Sequence, residues 1–312
     1  MVSRYRHDAT VLPHFCNYED INPTLLALRC EPSDADHEIW ITDISWTDPR
    51  VDRHLQSLID RGVRICWIDH HRTALQRYRN GEVTVRLTVQ ILSEARAACG
   101  LTYDHVCEVA RQHGGLPDDL RALQRLVELA DDNDRWLHHI PGSRDLALAV
   151  GAMPDMDAYD ALRGIDAHVT FTPAMRAGQQ RAQKEIQRSF DLAERSRVEV
   201  VVPAQDIRLV TAVCDGYASD IADAWGKTAS RAVFAFFDAA SLGVSLRRSP
   251  DCPVDLSSLA QRLGGGGHAA AAGCELPGLR RQLAEALSLT VAKALATQAG
   301  TQSNTSAPPT GR

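Results

Sequence analysis

Residues 38–44 read Glu-Ile-Trp-Ile-Thr-Asp-Ile, and residues 63–71 read Val-Arg-Ile-Cys-Trp-Ile-Asp-His-His. Each is a short apolar run that ends in polar residues, as a buried strand does where it leaves the core. Residues 52–61, between the two runs, carry a helical pattern. Strand, helix and strand at this spacing form a βαβ unit, which predicts a parallel sheet and an α/β fold. Helical patterns follow at 88–98, 103–113 and 117–130.

Further along, residues 173–196 are rich in Ala, Gln, Glu and Arg and predict one long connecting helix. A second α/β region comes next, with strands at 198–203, 207–213, 231–237 and 242–247 and helices at 217–225, 255–263 and 278–296. The Thr-, Ser-, Gln- and Pro-rich stretch 297–312 reads as a disordered tail. No internal repeat is visible.

The 312 residues suffice for two domains, and an apolar content of 44% is ordinary for a protein with buried cores. No apolar run reaches the length of a membrane span, and the first residues lack the apolar core of a signal peptide. The expected location is cytoplasmic. Eight cysteines, at 16, 30, 66, 99, 107, 214, 252 and 274, form no CxxC pair, which argues against a disulfide framework or a thiolate zinc site. A net charge of −6 excludes a protein that coats long nucleic acid. The expected partner is a nucleotide or short oligonucleotide held in a local cationic cleft, with metal cations adding positive charge. Oligomeric state is open.

Asp69-His70-His71 follows an apolar strand directly, and open α/β sheets bind ligands beyond the carboxyl ends of their strands. One imidazole there can ligate a metal while its neighbours orient it or touch a phosphate; a polar loop is the other reading. Asp43, near the end of the neighbouring strand, shares that edge of the sheet and can converge with His70, or else cap a helix or turn. Asp131-Asp132-Asn133-Asp134 crowds three carboxylates at a helix end, where either a divalent cation or plain solvation relieves the repulsion. Carboxylates with imidazole suit Mn2+, followed by Mg2+, Fe2+, Co2+ or Zn2+. Gly264-Gly265-Gly266-Gly267-His268, before four alanines and Gly273, lets backbone N–H groups face an anion and lets His268 donate to a phosphate. A flexible linker would favour Gly with Ser instead. Arg247, at the end of the preceding strand, is placed to reach the same anion.

Together these segments resemble the DHH/DHHA1 superfamily of phosphoesterases. Trp67-Ile68-Asp69-His70-His71-Arg72-Thr73-Ala74 looks like the family's motif III, Ile41-Thr42-Asp43-Ile44-Ser45 like motif II, and Asp131-Asp132-Asn133-Asp134-Arg135-Trp136 like motif IV. Gly265-Gly266-Gly267-His268-Ala269-Ala270-Ala271-Ala272-Gly273 resembles the GGGHxxAAG signature of the DHHA1 domain. The resemblance implies a two-domain α/β protein: a parallel-sheet DHH domain over 1–170, a helical linker over 171–197, a smaller α/β DHHA1 domain over 198–296 and the tail 297–312. It implies a Mn2+-dependent phosphoesterase that hydrolyses nucleotides or short oligonucleotides with metal-activated water, in a cleft between the domains. Asp43, His70 and one of Asp131 and Asp132 would be metal ligands. Asp69 and His71 would support the metal site and the phosphate. Arg247, Gly265, Gly266, Gly267 and His268 would hold the substrate.

The family's first motif, His-x-Asp-x-Asp, does not appear before Asp43; residues 14–20 read His-Phe-Cys-Asn-Tyr-Glu-Asp. One reading takes Val11–Ile21 as the second strand and its exit, with Arg4–Asp8 ending a first helix and the motif lying upstream. The other is a degenerate motif in which Glu19 or Asp20 replaces the lost ligands. Two further functions therefore stand beside the leading one: a phosphatase of small nucleotides or inorganic polyphosphate, and a catalytically impaired nucleotide-binding protein.

Overall fold

The computed structural model of the chain describes residues 1–29 and 37–302. Two units are distinct, Met1–Arg188 and Ser189–Arg312. The first contains α1 (Val2–Tyr5), α2 (Ile21–Ala27), β1 (Glu38–Thr42), α3 (Pro49–Ile59), β2 (Arg64–Asp69), α4 (Arg72–Arg79), β3 (Val89–Leu92), α5 (Ala98–Gln112), α6 (Asp118–Arg121), α7 (Gln124–Asp134), α8 (Ser143–Gly151) and α9 (Asp155–Arg163). The long helix α10 (Pro173–Ser196) crosses from the first unit into the second.

The sheet of the first unit has the order β1-β2-β3, and all its strands are parallel. Central β2 is buried from Ile65 to Asp69, because helices cover both faces. Ile65 and Trp67 pack on one side with Ile21 and Leu25 of α2 and with Val51, Leu55 and Leu58 of α3. Trp46 lies under Trp67 at 4.9 Å, and its indole N–H is satisfied by the buried carboxylate of Asp52 at 2.9 Å. On the other side, Trp40 packs against a cluster built on Val106 and Ala110 of α5. α3 starts where Asp48 accepts from the Arg50 N–H at 2.8 Å and Pro49 takes the first helical position.

Two expectations are corrected here. Residues 89–92 form β3, not the start of a helix, because Val89 and Ile91 pair in parallel with Cys66 and Ile68 and tertiary pairing overrides a helical pattern. Val11–Ile21 is not a strand: residues 11–17 are irregular, Pro13 has no N–H to give a ladder, and α2 begins at Ile21.

The second unit holds β4 (Val198–Val202), β5 (Ile207–Cys214), α11 (Ala218–Gly226), β6 (Ala232–Asp238), β7 (Val244–Arg248), α12 (Leu256–Arg262), β8 (Gly266–Gly267), β9 (Ala271–Cys274) and α13 (Pro277–Gln302). Its sheet runs β4-β5-β6-β7-β9-β8, parallel between β5 and β6 and antiparallel elsewhere. Ala218, Ile221 and Trp225 of α11 pack with Phe234 and Phe236 on one face. Leu256 and Ala260 of α12 pack with Val233 and Leu246 on the other. Residues 297–302, read from sequence as the start of a disordered tail, continue α13, and the rest of that tail lies outside the described residues. Among the described residues no helix is long and apolar enough to cross a membrane, and Cys16, Cys66, Cys99, Cys107, Cys214, Cys252 and Cys274 are free thiols.

Candidate active site

The carboxyl ends of β1 and β2 lie side by side, with Thr42 opposite Ile68. Asp43 continues the pairing by donating its N–H to Ile68 at 3.0 Å, then turns into the left-handed region at φ 66°. A non-glycine residue held there carries backbone strain, which surrounding structure must sustain. The turn sets its carboxylate 3.1 Å from His70 Nε2.

A second carboxylate reaches the same nitrogen. Asp134, the last residue of α7, places Oδ2 at 3.3 Å from His70 Nε2. Burial works to lower the His70 pKa, but the hydrogen bond it donates to Asp43 and the charges of Asp134, Asp43 and Asp69 outweigh it and leave the imidazole above its ordinary value. Asp134 is shifted upward, first by burial and then by Asp43 and Asp131, against the opposing pull of His70 and His71.

Asp69 is fully buried at the end of β2. Its Oδ1 receives the His71 backbone N–H at 3.0 Å and lies 2.8 Å from His71 Nδ1. The two contacts together turn the Nδ1 edge of the His71 ring toward Asp69. Asp69 Oδ2 is buried with no hydrogen-bond partner among the described residues. A buried, unpaired carboxylate oxygen beside imidazoles and carboxylates is costly unless a cation is near.

Among the described residues of the first unit two donor sets result, Asp43 with His70 and Asp134, and Asp43 with Asp69 and His71; within each, the ligand atoms lie within 4.8 Å of one another. Oxygen and imidazole donors at this spacing fit a divalent cation.

The other two acidic candidates do not join His70. Asp131 Oδ1 accepts the Ala97 N–H at 2.6 Å just before α5, and Oδ2 sits 3.6 Å from Arg96 and 3.7 Å from Arg135. Asp132 is buried and accepts the N–H groups of His139 and Ile140 at 2.9 and 3.3 Å. Burial would raise the Asp132 pKa, but these N–H groups and the Ser143 hydroxyl hold it below its ordinary value. The structure thus brings Asp134, and not Asp131 or Asp132, to His70. Helix phase turns Asp132 away, about 200° from Asp134 around the helix; Asp131 lies on nearly the same face as Asp134, one turn back, but is held by the Ala97 N–H and by Arg96 and Arg135. The sequence presents Asp134 only as part of the acidic run, and its place as the last residue of α7 is the signal that sets it apart. Glu19 and Asp20 lie in a turn, where their N–H groups donate to Asn17 Oδ1, and belong to neither donor set.

In the second unit, Arg247 on β7 donates to Ser219 Oγ at 2.8 Å and to the Leu246 carbonyl at 2.8 Å, and burial lowers its pKa. The glycine run is less open than a phosphate loop read from sequence. Gly266 and Gly267 form β8, paired with Gly273 and Ala272. A Cβ on Gly265 would lie 2.0 Å from the Gly273 carbonyl oxygen, and one on Gly267 would lie 2.7 Å from the Ala271 carbonyl oxygen. Close backbone approach therefore demands glycine at both positions. His268 follows β8 and donates its backbone N–H to Ala271 at 2.7 Å.

Comparison with known proteins places these features. The DHHA1 domain family matches residues 200–296. That match shows a DHHA1 domain over this part of the chain. Oligoribonuclease NrnB of Bacillus subtilis is 25% identical over 261 residues, covering 80% of this chain and 61% of the relative, so the chain spans less than two thirds of that protein's length. Among solved structures, the pGpG-specific phosphodiesterase PggH of Vibrio cholerae aligns at a TM-score of 0.43 and 13% identity, over 82% of this chain and 99% of that one. An exopolyphosphatase-related protein of Bacteroides fragilis aligns at 0.40 and 14%, over 88% and 74%. The DHHA1 match begins inside β4 and ends within α13.

Proposed function

We propose that this chain is a DHH/DHHA1 superfamily member and a divalent-metal-dependent phosphoesterase that hydrolyses short oligonucleotides to mononucleotides, with Mn2+ as the ion. The observation that carries the reading is the convergence of Asp43 and Asp134 on His70 Nε2 beside the unpaired buried oxygen of Asp69. Asp43, His70 and Asp134 would hold the ion. When bound, it would lower the pKa of water and neutralise charge developing on the phosphate. Asp69 would orient His71, which would support the metal site and the phosphate. Arg247, the Gly265–Gly267 segment and His268 would bind the substrate phosphate or its nucleoside, in line with the DHHA1 match around them.

The test is release of mononucleotides from labelled oligonucleotides of increasing length, with Mn2+ and with chelator, for the wild type and His70→Ala. Turnover that needs Mn2+ and disappears in the variant supports the reading. Turnover that persists in His70→Ala or in chelator would sink it. Binding of short nucleotides without turnover would favour the binding-protein alternative.

A further inference from the structure

Tyr18 stands next to the metal-ligand cluster and has no role in it. Its ring meets that of His71 edge-on, with centroids 6.5 Å apart and planes at 80°. The residue is 60% exposed, so one face of the ring is open to solvent. Its backbone is fixed on both sides. Asn17 Oδ1 accepts the N–H groups of Glu19 and Asp20 at 2.9 and 3.0 Å, which closes the turn around Tyr18. Three residues on, α2 anchors in the core through buried Ile21 and Leu25. Asn22 joins this turn to the segment after Asp43, accepting from the N–H groups of Thr47 and Asp48 at 3.0 and 3.1 Å and donating to Thr47 Oγ1 at 3.1 Å.

A large aromatic ring on a braced turn, exposed at the rim of a phosphoester site, offers a flat apolar face where a substrate's next group must lie. Tyrosine suits this use because it supplies area with little rotamer entropy to lose. We infer that Tyr18 is a specificity-determining residue that stacks on the nucleobase attached to the scissile phosphate. The inference rests on the phosphoesterase reading and deepens it: the substrate is a nucleic-acid fragment of any base, since every base has a π-face, and not inorganic polyphosphate.

The experiment compares wild type, Tyr18→Ala and Tyr18→Phe, each loaded with Mn2+ and checked for folding by circular dichroism. Steady-state constants are measured on a dinucleotide, and stacking is read separately as quenching of a 2-aminopurine dinucleotide in stopped flow, before turnover. Tyr18→Ala is expected to raise the dinucleotide KM about tenfold with kcat changed less than about twofold, and to lose the quench. Tyr18→Phe is expected to match the wild type in both. A KM unchanged in Tyr18→Ala with the quench retained overturns the inference while leaving the phosphoesterase reading intact. So does a Tyr18→Phe loss as large as that of Tyr18→Ala. Quenching lost in Tyr18→Ala in a protein that turns over nothing keeps the stacking role and sinks the catalytic reading.

Discussion

Asp134 Oδ2 lies 3.3 Å from His70 Nε2, while Asp132, two residues earlier, turns its carboxylate to the backbone of His139 and Ile140. Neighbouring acids in one helix thus divide the work. One faces the carboxyl end of β2 with Asp43, and the other holds the chain where α7 gives way to α8.

The cap formed by Asp132 predicts a pH-dependent stability. Its pKa is depressed in the folded protein, so its stabilisation is complete above the unfolded carboxylate pKa of about 4 and fades as pH falls through the lower folded value. Asp132→Asn is expected to cost about 1–3 kcal/mol at pH 7. The gap from wild type should close below about pH 4. Urea denaturation at several pH values measures it; a gap that stays constant into acid would contradict the account.

Metal affinity should follow the protonation of His70. Its pKa is raised above the ordinary value of about 6.5, and the proton must leave before the nitrogen can ligate. Mn2+ affinity is expected to fall about tenfold for each pH unit below that raised pKa and to level off above it. Calorimetric titration from pH 5.5 to 8.5 tests this, and affinity that is flat across the range would contradict it.

The close approach of Gly265 predicts a stability defect with no change in charge. In Gly265→Ala the new methyl meets the backbone of Gly273 and Cys274, which cannot move without unpairing β8 from β9. A loss of about 2 kcal/mol or more is expected, seen as a lower Tm. Gly278→Ala, where nothing lies within 4 Å, should stay within about 0.5 kcal/mol of wild type. Equal Tm values for the two variants would contradict the packing argument.

Much of the fold was legible because β1 and β2 are apolar runs with polar exits, and their parallel pairing puts Asp43 and His70 on one edge. The segment 88–98 misled because Val89–Leu92 is only four residues long and runs on toward the Ala-rich start of α5, so its pairing with β2 appears only in three dimensions. The acidic run was legible as a site but not in phase. Which carboxylate faces His70 depends on how α7 packs between α5 and α8, and no local pattern carries that. The glycine run read as an anion cradle, yet Gly265 and Gly267 also answer to the closeness of β9, a long-range contact invisible to spacing.

The central claim is that Asp43, His70 and Asp134 hold the ion on which hydrolysis depends. The most direct measurement is Mn2+ titration followed by electron paramagnetic resonance, with dinucleotide turnover on the same samples, for wild type, Asp134→Asn and Asp131→Asn. Asp134→Asn is expected to weaken Mn2+ binding at least about tenfold and to lower turnover about a hundredfold, while Asp131→Asn keeps Mn2+ affinity within about threefold of wild type. Wild-type Mn2+ affinity and turnover in Asp134→Asn, with both lost in Asp131→Asn, would contradict the account.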